Sequence, residues 1–206
     1  MLISIIIPVY NEDKTIRIFM ESLEGIQGNH EVIFVDGGST DNTFDIVKEK
    51  YFIVGSPKKG RGCQMNYGST LAKGEALFFL HSDSKVPCDL LEYMQDALKK
   101  GKAGCFRIRF DSKSVLMKIC AFMSNSRVKI RNIAFGDQGI FITKEYFDEI
   151  GGYPEISIME DYQLSMDIKK DGNRIILADA EILTSDRRFL KHGRLKTMAR
   201  MQILQH

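Results

Sequence analysis

Three carboxylates stand just beyond three largely apolar runs in the first half of this 206-residue chain: Glu12 after residues 3–7, Asp36 after 31–35 and Asp83 after 76–80. Carboxylates gathered at one place repel one another unless a cation or a hydrogen-bonding ligand lies between them. Asp36 suits the hydroxyls of a ribose or the ring N–H groups of a base, because an ionised carboxylate only accepts hydrogen bonds. Asp83 suits a hard divalent ion that also holds a diphosphate, the oxygen-ligand arrangement of Mg2+ or Mn2+. For any one of them the alternative is a helix cap or turn former; three in register weigh against it. A fourth acidic feature, Glu160-Asp161, opens a helical stretch, where free N–H groups and the helix dipole favour ionised carboxylates. Adjacent helical residues point about 100° apart, so the two cannot do one job.

The elements that must position these groups follow from periodicity. Residues 3–7 are a β-branched run but for Ser4, the pattern of a strand buried on both faces, and it breaks at Pro8. Asn11, Glu12 and Asp13 open a helix with Ile16, Phe19, Met20 and Leu23 at helical spacing. Residues 31–35 form the next buried strand, and Gly37-Gly38 turns the chain toward a helix carrying Phe44, Val47 and Tyr51. A short strand at 52–54, a basic Gly-broken loop at 56–62, a small helix at 66–72 and a strand at 76–80 complete this half. Beyond Pro87 comes an amphipathic helix that stops at Gly101. Phe106, Ile108 and Phe110 alternate with Arg107 and Arg109, which predicts a strand with one wet face, antiparallel or at an edge. Helices are then expected over about 114–128, near Tyr146 and over 160–170, with strands over 138–142 and 174–178. Alternating strand and helix in roughly the first hundred residues predict a mostly parallel, doubly wound α/β sheet. Such sheets bind ligands beyond the carboxyl ends of their strands, where all three carboxylates fall.

Bulk properties narrow the classes. The length suits one domain, large enough to need no disulfide or structural metal. A net charge of +2 gives no footing for nucleic acid. Four cysteines without a Cys-x-x-Cys pair read as a reduced, cytoplasmic protein. The opening run is too short and lacks the basic start of a signal peptide, and no window holds the roughly 20 apolar residues of a spanning helix. Contact with a membrane would therefore be peripheral. Leu195, Met198 and Met201 fall on one helical stripe flanked by Arg194, Lys196 and Arg200, which fits either a basic helix on an anionic inner-membrane face or a helix packed on the body. A dinucleotide-binding site is excluded, because Pro8-Val9-Tyr10-Asn11-Glu12 holds none of the glycines that fingerprint requires.

Several ordered motifs together resemble family-2 glycosyltransferases. They are Ile5-Ile6-Ile7-Pro8-Val9-Tyr10-Asn11-Glu12, Val35-Asp36-Gly37-Gly38-Ser39-Thr40-Asp41, Gly60-Arg61-Gly62-Cys63-Gln64-Met65-Asn66, Leu80-His81-Ser82-Asp83, Gly136-Asp137-Gln138-Gly139, Met159-Glu160-Asp161 and Ser185-Asp186-Arg187-Arg188-Phe189. The chain is most similar to a branch of small bacterial enzymes associated with radical-SAM and selenocysteine-related gene sets. The resemblance implies a GT-A fold: a Rossmann-like, mostly parallel sheet flanked by helices, with a small antiparallel portion. It implies one domain over 1–206, with a nucleotide-sugar half over about 1–100 and an acceptor half over about 101–206. Pro8, Tyr10, Glu12 and Asp36 would border the nucleotide, and Arg61, Gln64 and Asn66 would close over base and diphosphate. Asp83 would hold the metal, Mn2+ or Mg2+, and Gln138, Arg187 and Arg188 would serve the acceptor or diphosphate. Asp161 would be the general base of an inverting transfer, with Glu160 beside it, from a UDP- or GDP-sugar to an acceptor that could be lipid-linked. The chain departs from the family's Asp-x-Asp motif at His81, an imidazole that suits Mn2+ better than Mg2+; His192 is a second candidate ligand. Two other classes share this sheet. A sugar-nucleotide nucleotidyltransferase should carry a Gly- and Arg-rich loop after the first strand, and none is present. A silent sugar-nucleotide-binding module would have no use for both Asp83 and Asp161.

Overall fold

The computed structural model describes residues 1–112 and 114–184. In chain order the first half holds β1 (Ile3–Val9), α1 (Ile16–Leu23), β2 (His30–Asp36), α2 (Thr43–Lys48), β3 (Phe52–Gly55), α3 (Arg61–Leu71) and β4 (Ala76–Phe79). Then come β5 (Ser84–Lys85), α4 (Leu90–Leu98), β6 (Ala103–Phe110), α5 (Val115–Arg131) and a 3-10 turn (Gly136–Gln138). The last elements are β7 (Ile140–Thr143), α6 (Lys144–Glu149), α7 (Glu160–Lys170) and β8 (Ile175–Thr184). The eight strands form one sheet in the order β3-β2-β1-β4-β7-β6-β8-β5. Pairs β1–β2, β1–β4, β2–β3 and β6–β8 are parallel, while β4–β7, β6–β7 and β5–β8 are antiparallel.

Strand alternation divides the core in two. Ile3, Ile5, Ile7 and Val9 of β1 face α1 and α4, whereas Ile6 faces Met65 of α3 and the aromatic group around Phe79, Phe147 and Tyr153. Both faces of the central strands are thus covered, which is why they read as largely apolar runs, Ser4 being buried with its hydroxyl bonded to Glu31. Helix α3 lies so close to the sheet that a Cβ on Gly68 would stand 2.5 Å from Cγ2 of Ile6 and 3.1 Å from Val35. Gly68→Ala is therefore expected to overpack this contact by about 1–3 kcal/mol, outweighing the roughly 1 kcal/mol of helix propensity it gains. A lower midpoint in urea unfolding would show it; an unchanged or raised midpoint would refute it.

Four sequence expectations are corrected. β1 runs through Pro8 to Val9: Ile6 O accepts from Leu80 N on the β4 side, and Pro8, facing the same side, lies past the end of β4, where no neighbour needs its missing N–H. α3 starts at Arg61, ahead of the expected residue 66, because Gly60 at φ 117° makes the turn immediately before it. β6, by contrast, has its wet face and is antiparallel to β7 as expected, while β8 lies parallel on its other side with the pairs Arg107–Asp179 and Arg109–Glu181 across that face. Gln138 belongs to the 3-10 turn, and β7 begins only after Gly139 at φ 59°. β8 continues to Thr184, beyond the expected 178, and the two-residue β5 pairs with its end. The expected C-terminal helix, with Leu195, Met198 and Met201, lies outside the described residues, as do Arg187, Arg188 and His192.

Candidate active site

The chain runs outward from β1 to β2 and β3, then returns to place β4 on the other side of β1. Neighbouring loops part at this reversal, which leaves a crevice beyond the carboxyl ends of the strands. The loops after β1, β2 and β4 open there, and because β7 is antiparallel to β4 its entry turn, Gly136–Gln138, reaches the same edge.

The first two loops are knitted together by their own polar residues. Asn11, at φ 54°, accepts from Thr40 N at 2.8 Å through its side chain, and its N–H donates to Ser39 Oγ at 2.9 Å. Glu12 N donates to Thr43 Oγ1 at 2.7 Å, and the Glu12 carboxylate accepts from Thr15 Oγ1 at 2.7 Å. Asp36 is buried; its Oδ2 accepts from Gly38 N and Ser39 N at 2.9 Å each, and Oδ1 accepts from the Ser39 hydroxyl. The turn-forming alternative therefore holds for Asp36, which leaves only the remaining lone pairs of its carboxylate for a ligand. Tyr10 is exposed above this platform and Pro8 is buried beneath it.

Gln64 and Asn66, on the inner face of α3, are engaged by the main chain. Gln64 Nε2 donates to Val9 O at 3.0 Å and Val35 O at 2.7 Å, bridging β1 and β2 where they begin to part. Asn66 accepts from Tyr153 N and donates to Tyr153 O, both at 2.8 Å. Gln138 is fully buried: its Oε1 accepts from Arg127 Nη2 at 3.1 Å, and its Nε2 faces Phe106 O at 3.4 Å. These three amides build the crevice walls; none presents an uncommitted amide to its mouth.

Opposite the platform stands the start of α7. Met159 enters it at φ 68°, and Glu160 and Asp161 follow, both buried. Arg61, at the first position of α3, points Nη1 at Glu160 Oε1 over 3.5 Å and so ties the two halves of the site. Asp161 Oδ2 accepts from Gly136 N at 2.9 Å, while its Oδ1 has no hydrogen-bond partner among the described residues. Burial raises the Asp161 carboxyl to about 7, the negative charge of Glu160 adding to it and Arg61 opposing it. Burial therefore outweighs the helix dipole, which by itself predicts an acidic carboxyl here. Tyr153 is also buried, and burial, then the charges of Asp161 and Glu160 and the side-chain interaction with Asp161, raise its hydroxyl well above the ordinary phenol range.

His81 reaches this cluster from the end of β4. A Cβ on Gly136 would lie 2.5 Å from His81 Nε2 and 2.8 Å from Asp161 Oδ2, so imidazole and carboxyl converge on this one glycine. Sequence spacing had made His81 a neighbour of Asp83 only; its approach with Asp161 to the same glycine needed the fold. Asp83 itself is exposed two residues farther on. Among the described residues no three His, Cys, Asp or Glu side chains gather as a metal cage. An exposed single acid fits an ion that arrives with a diphosphate and keeps its waters, as Mg2+ commonly does.

A mostly parallel sheet whose strand order reverses at β1, with a buried carboxyl at the carboxyl-end edge, defines a GT-A-like α/β protein, and solved structures share that fold. TarS from S. aureus, in complex with UDP-GlcNAc, superposes with a TM-score of 0.72 at 21% identity, over 90% of this chain and 58% of that one. Mannosyltransferase PcManGT from Pyrobaculum calidifontis, in complex with GDP-Man and Mn2+, does so with a TM-score of 0.67 at 20% identity, over 88% of this chain and 56% of that one. The family model "Glycosyl transferase family 2" matches residues 4–151, and the chain belongs to that family. Among its curated relatives, a poly(ribitol-phosphate) beta-glucosyltransferase of Bacillus spizizenii is 35% identical over 102 residues, 44% of this chain and 16% of that protein. A beta-monoglucosyldiacylglycerol synthase of Nostoc sp. is 23% identical over 193 residues, 82% of this chain and 41% of that protein. Matches to other curated relatives span 29%, 34% and 38% of their lengths.

Proposed function

We propose that the chain is an inverting, metal-assisted glycosyltransferase that moves a sugar from a UDP- or GDP-sugar to an acceptor hydroxyl. The observation that carries the reading is Asp161: a buried carboxyl raised to about 7, one oxygen anchored by Gly136 N and the other without a hydrogen bond among the described residues, at the sheet edge where the strand order reverses. The donors named with TarS and PcManGT support the nucleotide-sugar half of the proposal. We further read residues 1–206 as one domain, since the same sheet runs through both halves, and the quoted motifs support the small radical-SAM-associated branch.

In the proposed reaction, Asp161 Oδ1 takes the proton of the acceptor hydroxyl as that oxygen bonds to the anomeric carbon. The bond from that carbon to the diphosphate breaks on the opposite face, and the nucleoside diphosphate leaves with the electron pair. Arg61 and the Asp36 turn hold the nucleotide end, and the Arg61–Glu160 pair keeps donor and acceptor sides in register. Asp83, with the donor's own diphosphate, would hold a Mn2+ or Mg2+ ion, which supplies charge neutralisation at the leaving group. One base suffices because a diphosphate leaves without a proton, unlike the acid-plus-base pair of glycosidases.

A ligand that binds only the folded state raises its melting temperature. UDP or GDP is expected to do so, and more strongly with Mn2+. Asp83→Ala should fold as the parent does and lose the metal-dependent increment, because the side chain is exposed. Indifference of the parent to every nucleoside diphosphate would overturn the transferase reading, and an intact metal increment in Asp83→Ala would overturn the ligand assignment. A nucleotidyltransferase would instead release pyrophosphate from a nucleoside triphosphate and a sugar phosphate.

A further inference from the structure

Helix α5 is apolar on two opposite faces. Met117 and Val128 are buried, and Met117 packs with Ile108 and Phe110 of β6. Val115, Ile119, Phe122, Met123 and Ile130 point the other way and are exposed, Phe122 by 72% and Ile130 by 81%. At about 100° per residue these five fall within an arc of about 100°, centred opposite the buried pair. A surface helix normally turns polar residues outward, and a contiguous exposed apolar face marks an interaction surface.

The helix's own charges are of one sign. No acidic residue stands between Asp111 and Asp137, whereas Lys113, Lys118, Arg127, Lys129 and Arg131 do. Lys118 and Lys129 are exposed and lie along one edge of the apolar arc. A second copy of the chain would set this basic face against itself, so like charges oppose self-association. An outward apolar arc edged by lysines is the pattern of a helix lying in the plane of an anionic lipid surface, its stripe sunk to the acyl boundary and its cations at the headgroups. The helix has 17 residues, a length of about 25 Å. Among the described residues no helix is long and apolar enough to cross a membrane, so contact here would be lateral.

We propose that the outward face of α5, formed by Ile119, Phe122, Met123 and Ile130 and edged by Lys118 and Lys129, docks the protein on an anionic bilayer. This goes beyond the transferase proposal and is independent of it, since binding is read with neither donor nor acceptor present. The test is co-sedimentation of the full chain with phosphatidylglycerol-containing vesicles at low salt, beside pure phosphatidylcholine vesicles. Binding to the anionic vesicles is expected, weakening as salt is added. Ile119→Glu and Phe122→Glu should each cut the bound fraction at least about tenfold, and Lys118→Gln with Lys129→Gln should lower it while flattening the salt dependence. Circular dichroism and the UDP-dependent melting shift of the Glu variants should match the parent, because the altered side chains are exposed. Failure of the parent to bind anionic vesicles at low salt would overturn the proposal. So would parental binding by both Glu variants, which would move the contact elsewhere on the chain, or a dimer that the Glu variants dissolve without any vesicle binding by the parent.

Discussion

Asp161→Asn is expected to lower turnover by about 10²–10⁴-fold, the range for loss of a general base, while leaving nucleotide affinity near that of the parent. Asn keeps the size and can still accept from Gly136 N, so the variant removes basicity with little change of shape. The parent's pH profile should show the same group: with a carboxyl near 7, kcat/KM rises with pH up to about 7 and then levels. Stability should run the opposite way. The folded state holds this proton up to about 7, whereas an unfolded Asp releases it near 4, so the unfolded state binds fewer protons between those values and stability falls as pH rises through that window. Above it the cost of the buried charge is fully present, a few kcal/mol for a shift of this size. Asp161→Asn should therefore melt higher than the parent at pH 8 and show less pH dependence. Near-parental turnover would remove Asp161 from the base role. If Glu160→Gln were inactive at the same time, the two residues' roles would have to be exchanged; as the structure stands, Glu160 faces Arg61, and its loss should chiefly raise the acceptor's KM.

Gly136→Ala is expected to cost about 10²-fold in turnover with the base itself left unsubstituted. Its new Cβ would need the space now held by His81 Nε2, 2.5 Å away, and Asp161 Oδ2, 2.8 Å away. Both side chains must move, and a displacement of about 1 Å at a reacting group can cost about 10²-fold. The overpacking itself should destabilise by about 1–3 kcal/mol, so turnover must be measured well below the variant's melting temperature. The informative pattern is a fall in kcat with nucleotide affinity unchanged. Parental kcat would mean that His81 and Asp161 do not need their present arrangement for catalysis.

How much of this was legible in the sequence differs by region. The parallel half was readable because each of its signals is local: β1 and β2 are largely apolar, and the start of α7 at Glu160 is marked by its acids. The carboxyl-end loops followed, and with them the neighbourhood of Glu12, Asp36 and Asp83. Only the tertiary structure decided what each polar group faces. Gln64 reads as a ligand-facing amide in a polar loop, yet its donors are satisfied by Val9 and Val35, 55 and 29 residues away. Asn66 is taken by Tyr153 at a separation of 87 residues, and Arg61 by Glu160 at 99. The wet face of β6 was correctly read from its alternation, but its place inside the sheet depended on β8, which follows it by some seventy residues. Asp161 shows the limit most clearly. Its position at a helix start predicts an acidic carboxyl, and that much the sequence determined; its rise to about 7 comes from burial beneath residues brought in from β4, α3 and the turn at Gly136. Periodicity reports which side of an element is buried because that is settled within about ten residues. Hydrogen-bond partners and desolvation are settled between segments far apart in the chain, and no local pattern carries them.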